Sequence, residues 1–182
     1  KMRKGLLVFS CLAGVAWGLD GPDGLVTKML AKYPGKGDAN NLGSMSLALA
    51  KAFPQDRLGF AVFQQDQIYS DLSYRDFYPD VAAATTDEAR KPLLLSRWQP
   101  EVKAWTQAMT PFANVGFYVP YERNLIKSHC LTILGFGGTG IKEANLRTVE
   151  SFLDNMISRT APVIKAYATA PQAQDAGGGG AL

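Results

Sequence analysis

Residues 5–19 carry no charged side chain, and Lys1, Arg3 and Lys4 stand directly before them. A basic head, a short apolar body reading GLLVFSCLAGVAWG and small residues at its close have the layout of a targeting signal. Ala16-Trp17-Gly18 places small side chains at the spacing a signal peptidase prefers, which predicts cleavage after Gly18. The run is shorter than the roughly 20 apolar residues of a spanning helix, and Asp20, Pro22 and Asp23 follow it. A short retained anchor and an ordinary buried segment are the two competing readings. Cys11 does not suit lipid attachment, because too little apolar sequence precedes it.

Charge divides the chain at the same place. The formal net charge of 182 residues is +3. The head supplies three positive charges, so the rest of the chain is balanced. Binding to a phosphate backbone needs clustered positive charge, and no dense Lys/Arg stripe follows; nucleic acid is not an expected partner. Charged residues make up 19% of the chain, below the usual quarter, which suits a body that buries surface against other subunits. With only Cys11 and Cys130 there is no disulfide framework. The expected organisation is a targeting signal or short membrane anchor over 1–18, a body over 19–170 and a low-complexity tail over 171–182. The tail, ending in AGGGGAL, cannot build a core.

Periodicity predicts a mainly α, multi-helix single domain with a possible small β-sheet. Helices are expected over 20–33, 42–53, 80–91, 93–109 and 141–157, with Pro34, Pro54 and Pro92 as stops and Pro100 as a kink. Thr86 with Asp87 and Glu88 suits a helix start. Residues 58–63 are too brief to assign by periodicity, residues 115–119 favour a strand, and CLTILGF at 130–136 is a further strand candidate. Pro162 breaks the continuation of the last helix.

Several residues invite functional readings. Gly135, Gly137 and Gly140 have the GxGxxG spacing of a dinucleotide-binding turn, where glycines permit close approach and helix N–H groups receive phosphate. The turn lies late in the chain and has no clear ribose-binding acid after it, so tight packing is the competing account. His129, the sole histidine, stands beside Cys130. Adjacent residues point apart in a strand, which opposes a simple catalytic pair. It is a weak candidate for a metal or for a tetrapyrrole held by a partner. One His and one neighbouring Cys do not make a spaced zinc set, and no metal site is expected. The carboxylates Asp66, Asp71, Asp76 and Asp80 read as caps and turn residues. Tyr69, Tyr74, Phe77 and Tyr78, with Trp98 and Trp105 two turns apart, are candidates for a protein interface, since aromatics are favoured at interface centres. Their competing role is to anchor the chain's own core.

These features lead to an expected noncatalytic accessory or scaffolding subunit of a membrane-associated assembly, located at or exported across a membrane. Its partners would be other protein subunits and the membrane. No cofactor is strongly implied; a pigment or lipid held by partners is compatible. The alternative is an exported soluble protein that binds a ligand through the Tyr69 to Tyr78 segment, and after it an enzyme with an unfamiliar site.

Overall fold

Two apolar runs, LGFAVF and VGFYV, organise the molecule. Strands buried on both faces read as continuous apolar stretches, which is the mark of parallel sheets covered on both sides. The computed structural model describes residues 6–7, 43–75, 77–124, 126–132, 135–159 and 162–171. Within them, β1 (Leu6–Leu7), β2 (Leu58–Ala61), β3 (Val115–Val119) and β4 (Lys165–Tyr167) form one sheet in the order β1-β2-β3-β4, every pair parallel. The helices are α1 (Gly43–Ala52), α2 (Gln67–Tyr74), α3 (Pro79–Ala83), α4 (Asp87–Met109) and α5 (Glu150–Ser158).

Alternation along the strands builds two cores. Leu58, Val62, Val115, Phe117 and Val119 face a layer from α1 to α4 that includes Ala50, Tyr74, Val81, Leu94, Trp98, Val102 and Met109. Ala61, Phe63, Tyr118 and Ala166 face the other way, onto Phe152 and Met156 of α5 and onto Leu131, Ile141 and Val149. The connections β2 to β3 and β3 to β4 therefore step the same way across the sheet but over opposite faces, so they have opposite hands. That is an uncommon arrangement, since crossovers between parallel strands are overwhelmingly right-handed.

The approach of α5 is set by two strand glycines. A Cβ at Gly116 would meet Met156 Sδ at 2.8 Å, the Ile164 carbonyl oxygen at 3.0 Å and Phe152 Cε2 at 3.1 Å; at Gly59 it would meet Met156 Cγ at 3.1 Å. On the opposite face, α4 starts at Thr86, whose Oγ1 accepts the Ala89 N–H at 3.2 Å, and Asp87 and Glu88 occupy its first turn. It runs through both Pro92 and Pro100. The expected stop at Pro92 does not occur, because buried Leu94, Leu95, Trp98, Val102 and Met109 hold the helix to the sheet across the lost hydrogen bonds. At the entry to the sheet, Asn114 Nδ2 donates to the carbonyls of Ala50 at 3.1 Å, Phe53 at 3.0 Å and Asp56 at 3.2 Å, tying the end of α1 to β3.

Several expectations are corrected here. The domain contains helices and a small sheet, as expected, but the sheet is its centre, so α/β replaces mainly α. Residues 130–132 form a turn region instead of a strand, and the helix placed over 141–157 begins only at Glu150. The last strand is β4, three residues long and beyond the reach of periodicity. The helix expected over 20–33 lies outside the described residues, as do most of the 1–18 segment and nearly all of the 171–182 tail.

The membrane reading is also corrected. Leu6–Leu7, inside the apolar run taken for a signal or anchor, is a strand in register with Leu58 and Gly59. No helix among the described residues is long and apolar enough to cross a membrane. The 23 residues of α4 would suffice in length, but charged side chains recur along it. The accessory subunit of a membrane assembly, and the location at or across a membrane, drew their membrane part from that run and are set aside.

Gly116→Ala should lower unfolding stability by about 1–3 kcal/mol, the cost of overpacking a filled core, as read by urea denaturation. A change below about 0.5 kcal/mol, the range of neutral surface substitutions, would show that α5 does not approach this closely. A second test uses pH. Burial and then the hydrogen bond to Glu101 raise the Tyr74 phenol above its ordinary value, and burial raises that of Tyr118. Because the folded values lie above the unfolded one, their contribution is fully present below about pH 10 and is lost as pH rises beyond it. Stability should therefore fall above that pH, and less steeply in Tyr74→Phe than in wild type.

Candidate functional site

In parallel α/β sheets the carboxyl ends of the strands are where ligands are received. Here that end is polar, buried and tightly built. The pairing of β2 with β3 continues past the strands, with Val62, Gln64 and Gln65 donating to the carbonyls of Tyr118, Pro120 and Tyr121 at 3.0–3.2 Å. Gln64 is buried, and its Nε2 donates to the Ala168 carbonyl, linking β2 to the end of β4 across the sheet.

Asp66 follows directly. It is the N-cap of α2, and its Oδ1 accepts the Tyr69 N–H at 2.7 Å. The same carboxylate meets His129: Nδ1 lies 2.8 Å from Oδ2 and 3.0 Å from Oδ1. The Asp66 side chain is 4% exposed and that of His129 14%, so solvent reaches the imidazole but hardly the acid. An ionised carboxylate only accepts, which places a proton on Nδ1 and leaves Nε2 for other chemistry. Nε2 forms no hydrogen bond among the described residues. Tyr69 packs against Trp98 with ring centroids 5.0 Å apart. Burial first, and the Asp66 charge second, raise its phenol above the usual range.

The loop that delivers His129 is held in an uncommon backbone conformation. Lys127, Ser128 and Cys130 all have positive φ, at 51°, 55° and 56°, each costing about 1–3 kcal/mol for a side-chain-bearing residue outside its preferred region. Named contacts offset this cost. Ser128 Oγ accepts the Arg123 N–H at 3.0 Å and donates to the Arg123 carbonyl at 2.9 Å. Lys127 pairs with Asp87 in the first turn of α4, which holds that carboxyl below its ordinary value. The Arg123 guanidinium, on a buried residue, donates to the carbonyls of Gly135 at 3.1 Å, Gly137 at 3.3 Å and Cys130 at 3.4 Å. Desolvation lowers its pKa, and the neighbouring Cys130 opposes the shift.

The glycine loop is thus tied to Arg123. Gly135 has φ +87°, and a Cβ on Gly140 would meet the Arg147 carbonyl oxygen at 2.8 Å. Thr139 is fully buried, accepts the Val149 N–H on Oγ1 at 3.0 Å and receives the Tyr118 hydroxyl on its carbonyl at 2.6 Å. A 3-10 turn, Lys142–Ala144, follows the loop, closed by a bridge between Ile141 and Leu146. The helix needed to receive a phosphate directly after Gly140 is not formed there.

The structure separates the aromatic candidates. Tyr69 lies beside Asp66. Tyr74 is buried and donates its hydroxyl to Glu101 at 2.5 Å. Trp98 is buried and donates Nε1 to the Phe63 carbonyl at 3.1 Å, and Trp105 packs on Phe60 and Phe117. Tyr78 lies under the Arg97 guanidinium at 4.4 Å, and Phe77 is 76% exposed. His129 and the glycine loop meet through Arg123, a residue that carried no sequence signal. Asp66 was visible only as one carboxylate among several. Among the described residues, no cluster of three or more His, Cys, Asp or Glu side chains is arranged to hold a metal ion.

Comparison with family models, with curated protein sequences and with solved structures finds no match.

Arg123→Met should cost about 2–3 kcal/mol, in line with hydrogen bonds made by a buried charge. Hydrogen exchange should also quicken across 126–132 and 135–140 while β2 stays protected. Unchanged exchange in both segments would show that the guanidinium does not hold the loops together.

Proposed function

We propose that this chain binds a small polar molecule at the carboxyl ends of β2, β3 and β4, with His129 Nε2 as a direct contact. The observation that carries the reading is the Asp66–His129 pair. A buried acid, already employed as a helix cap, orients a partly exposed imidazole at the edge where parallel sheets receive ligands. The strained loop supports the same reading, since residues held outside their preferred φ cluster at binding and catalytic positions.

The neighbouring groups suit a hydroxyl-rich or amide-bearing ligand better than a polyanion. Tyr121 follows β3 and Tyr167 closes β4; burial, and then Tyr121, raise the Tyr167 phenol. Thr169 is held by Glu143, which accepts its backbone N–H at 2.9 Å and its hydroxyl at 2.8 Å. The Arg123 guanidinium is bonded to loop carbonyls. This moves the ligand surface away from the tyrosine-rich segment as a whole and keeps only Tyr69 of it.

The test is amide-shift mapping on the 15N-labelled chain against a panel of neutral sugars, nucleosides and amino acids. At least one compound should bind with Kd of about 1 mM or better, an affinity worth roughly 4 kcal/mol. Its shifts should gather on 64–69, 121–132 and 167–169. Binders that map instead to Phe77 and Tyr78, or a panel with no binder, would overturn the reading.

A further inference from the structure

We infer that His129 is a general base, so that the site removes a proton from a hydroxyl group or a water molecule instead of only holding a ligand. The inference rests on the binding reading above and adds chemistry to it. Its ground is the geometry around the imidazole. Both Asp66 oxygens lie within 3.0 Å of Nδ1, and the Tyr69 N–H fixes one of them. The Asp66 backbone is held as well, its carbonyl accepting the Ser70 hydroxyl at 2.6 Å at the start of α2. An acid held in this way selects one tautomer, orients the ring and stabilises the imidazolium that forms when Nε2 takes a proton. A histidine needed only for packing requires neither a buried acid nor a loop with three positive φ values beside it.

Among the described residues, the titratable groups beside this pair are Tyr69 from α2 and the thiol of Cys130, next to His129 in the chain. Lys127 is neutralised by Asp87. Arg123 acts on the loop through the Cys130 carbonyl. Asp66 is a positioning residue; His129 is the group that would touch substrate.

The simplest reaction of this type is ester hydrolysis. The Nε2 lone pair takes a proton from water as the water oxygen bonds to the ester carbonyl carbon, and the carbonyl π pair moves onto its oxygen. When that pair returns, the bond to the alcohol oxygen breaks, and the imidazolium Nε2–H gives its proton to the leaving alkoxide. The products are one carboxylic acid and one alcohol, with no change of oxidation state.

That His129 is the sole histidine of the chain makes the test direct. In the intact protein, long-range 1H–15N spectra should show the neutral ring protonated on Nδ1. With p-nitrophenyl acetate as probe, turnover should exceed that of free imidazole at equal concentration by about 100-fold or more, the lower end of general-base catalysis. The rate should rise with pH along the His129 titration seen in the same sample. His129→Gln should remove the excess rate. Asp66→Asn keeps a capping side chain and should retain the wild-type melting temperature; it should alter the tautomer balance and lower kcat more than KM. A ring protonated on Nε2, a rate no better than free imidazole, or a His129→Gln variant as active as wild type would overturn the inference. If ligands map to the site but no turnover appears, binding stands and catalysis falls. If turnover depends on His129 while ligands map elsewhere, the base stands and the proposed ligand position falls.

Discussion

The pairing of β2 with β3 is the constraint on which the rest of the molecule depends. These two strands are covered on both faces, so each residue along them is assigned to one core or the other by simple alternation. Leu58, Val62, Val115, Phe117 and Val119 take the α4 side; Gly59, Ala61, Gly116 and Tyr118 take the α5 side. A slip of one residue would bring Phe117 and Phe60 onto the face where the two glycines admit α5. The small residues on one face and the bulky ones on the other therefore fix register as well as packing.

The same pairing creates the polar end. Because the ladder continues through Gln64 and Gln65, the chain is still buried when it reaches Asp66. A buried carboxylate is costly unless its lone pairs are satisfied. Asp66 meets that requirement with the Tyr69 N–H and with His129, some sixty residues away. The helix cap and the imidazole contact are two parts of one solution: the cap sets the carboxylate plane, and the plane sets where the ring must lie. The 126–132 segment then bends to deliver it, at a backbone cost that Ser128 and Arg123 offset.

How much of this was legible in the sequence depends on the range of the interaction. The helix expected over 42–53 is α1 within a residue or so, and Thr86 caps α4 as its chemistry suggested. Both follow from neighbours along the chain. The strand at 115–119 was readable from its composition. The apolar run near the start was read as a signal because lack of charge is common to a signal's apolar region and to a strand; the pairing with Leu58 and Gly59 distinguishes them where the run is described. His129 was weighed against Cys130, its neighbour in sequence, when its partner is Asp66. No spacing rule links two residues that meet only after three helices and a strand have been laid down between them.

The glycine loop shows the same lesson in reverse. Its spacing satisfied a local pattern for phosphate binding, yet the pattern works only if a helix begins where the glycines end. Here Thr139 is buried and bonded to Val149 and Tyr118, and the backbone turns through Lys142–Ala144 before α5 begins at Glu150. The glycines give room to carbonyl oxygens: that of Arg147 lies against Gly140, and those of Gly135 and Gly137 turn toward the Arg123 guanidinium. One buried cation thus takes up the carbonyls of a loop that a phosphate-binding turn would have left to support its N–H groups. By holding the Cys130 carbonyl as well, it couples the shape of that loop to the position of the adjacent imidazole. The loop's contribution to the site is mechanical: it fixes the far side of the segment whose near side is His129.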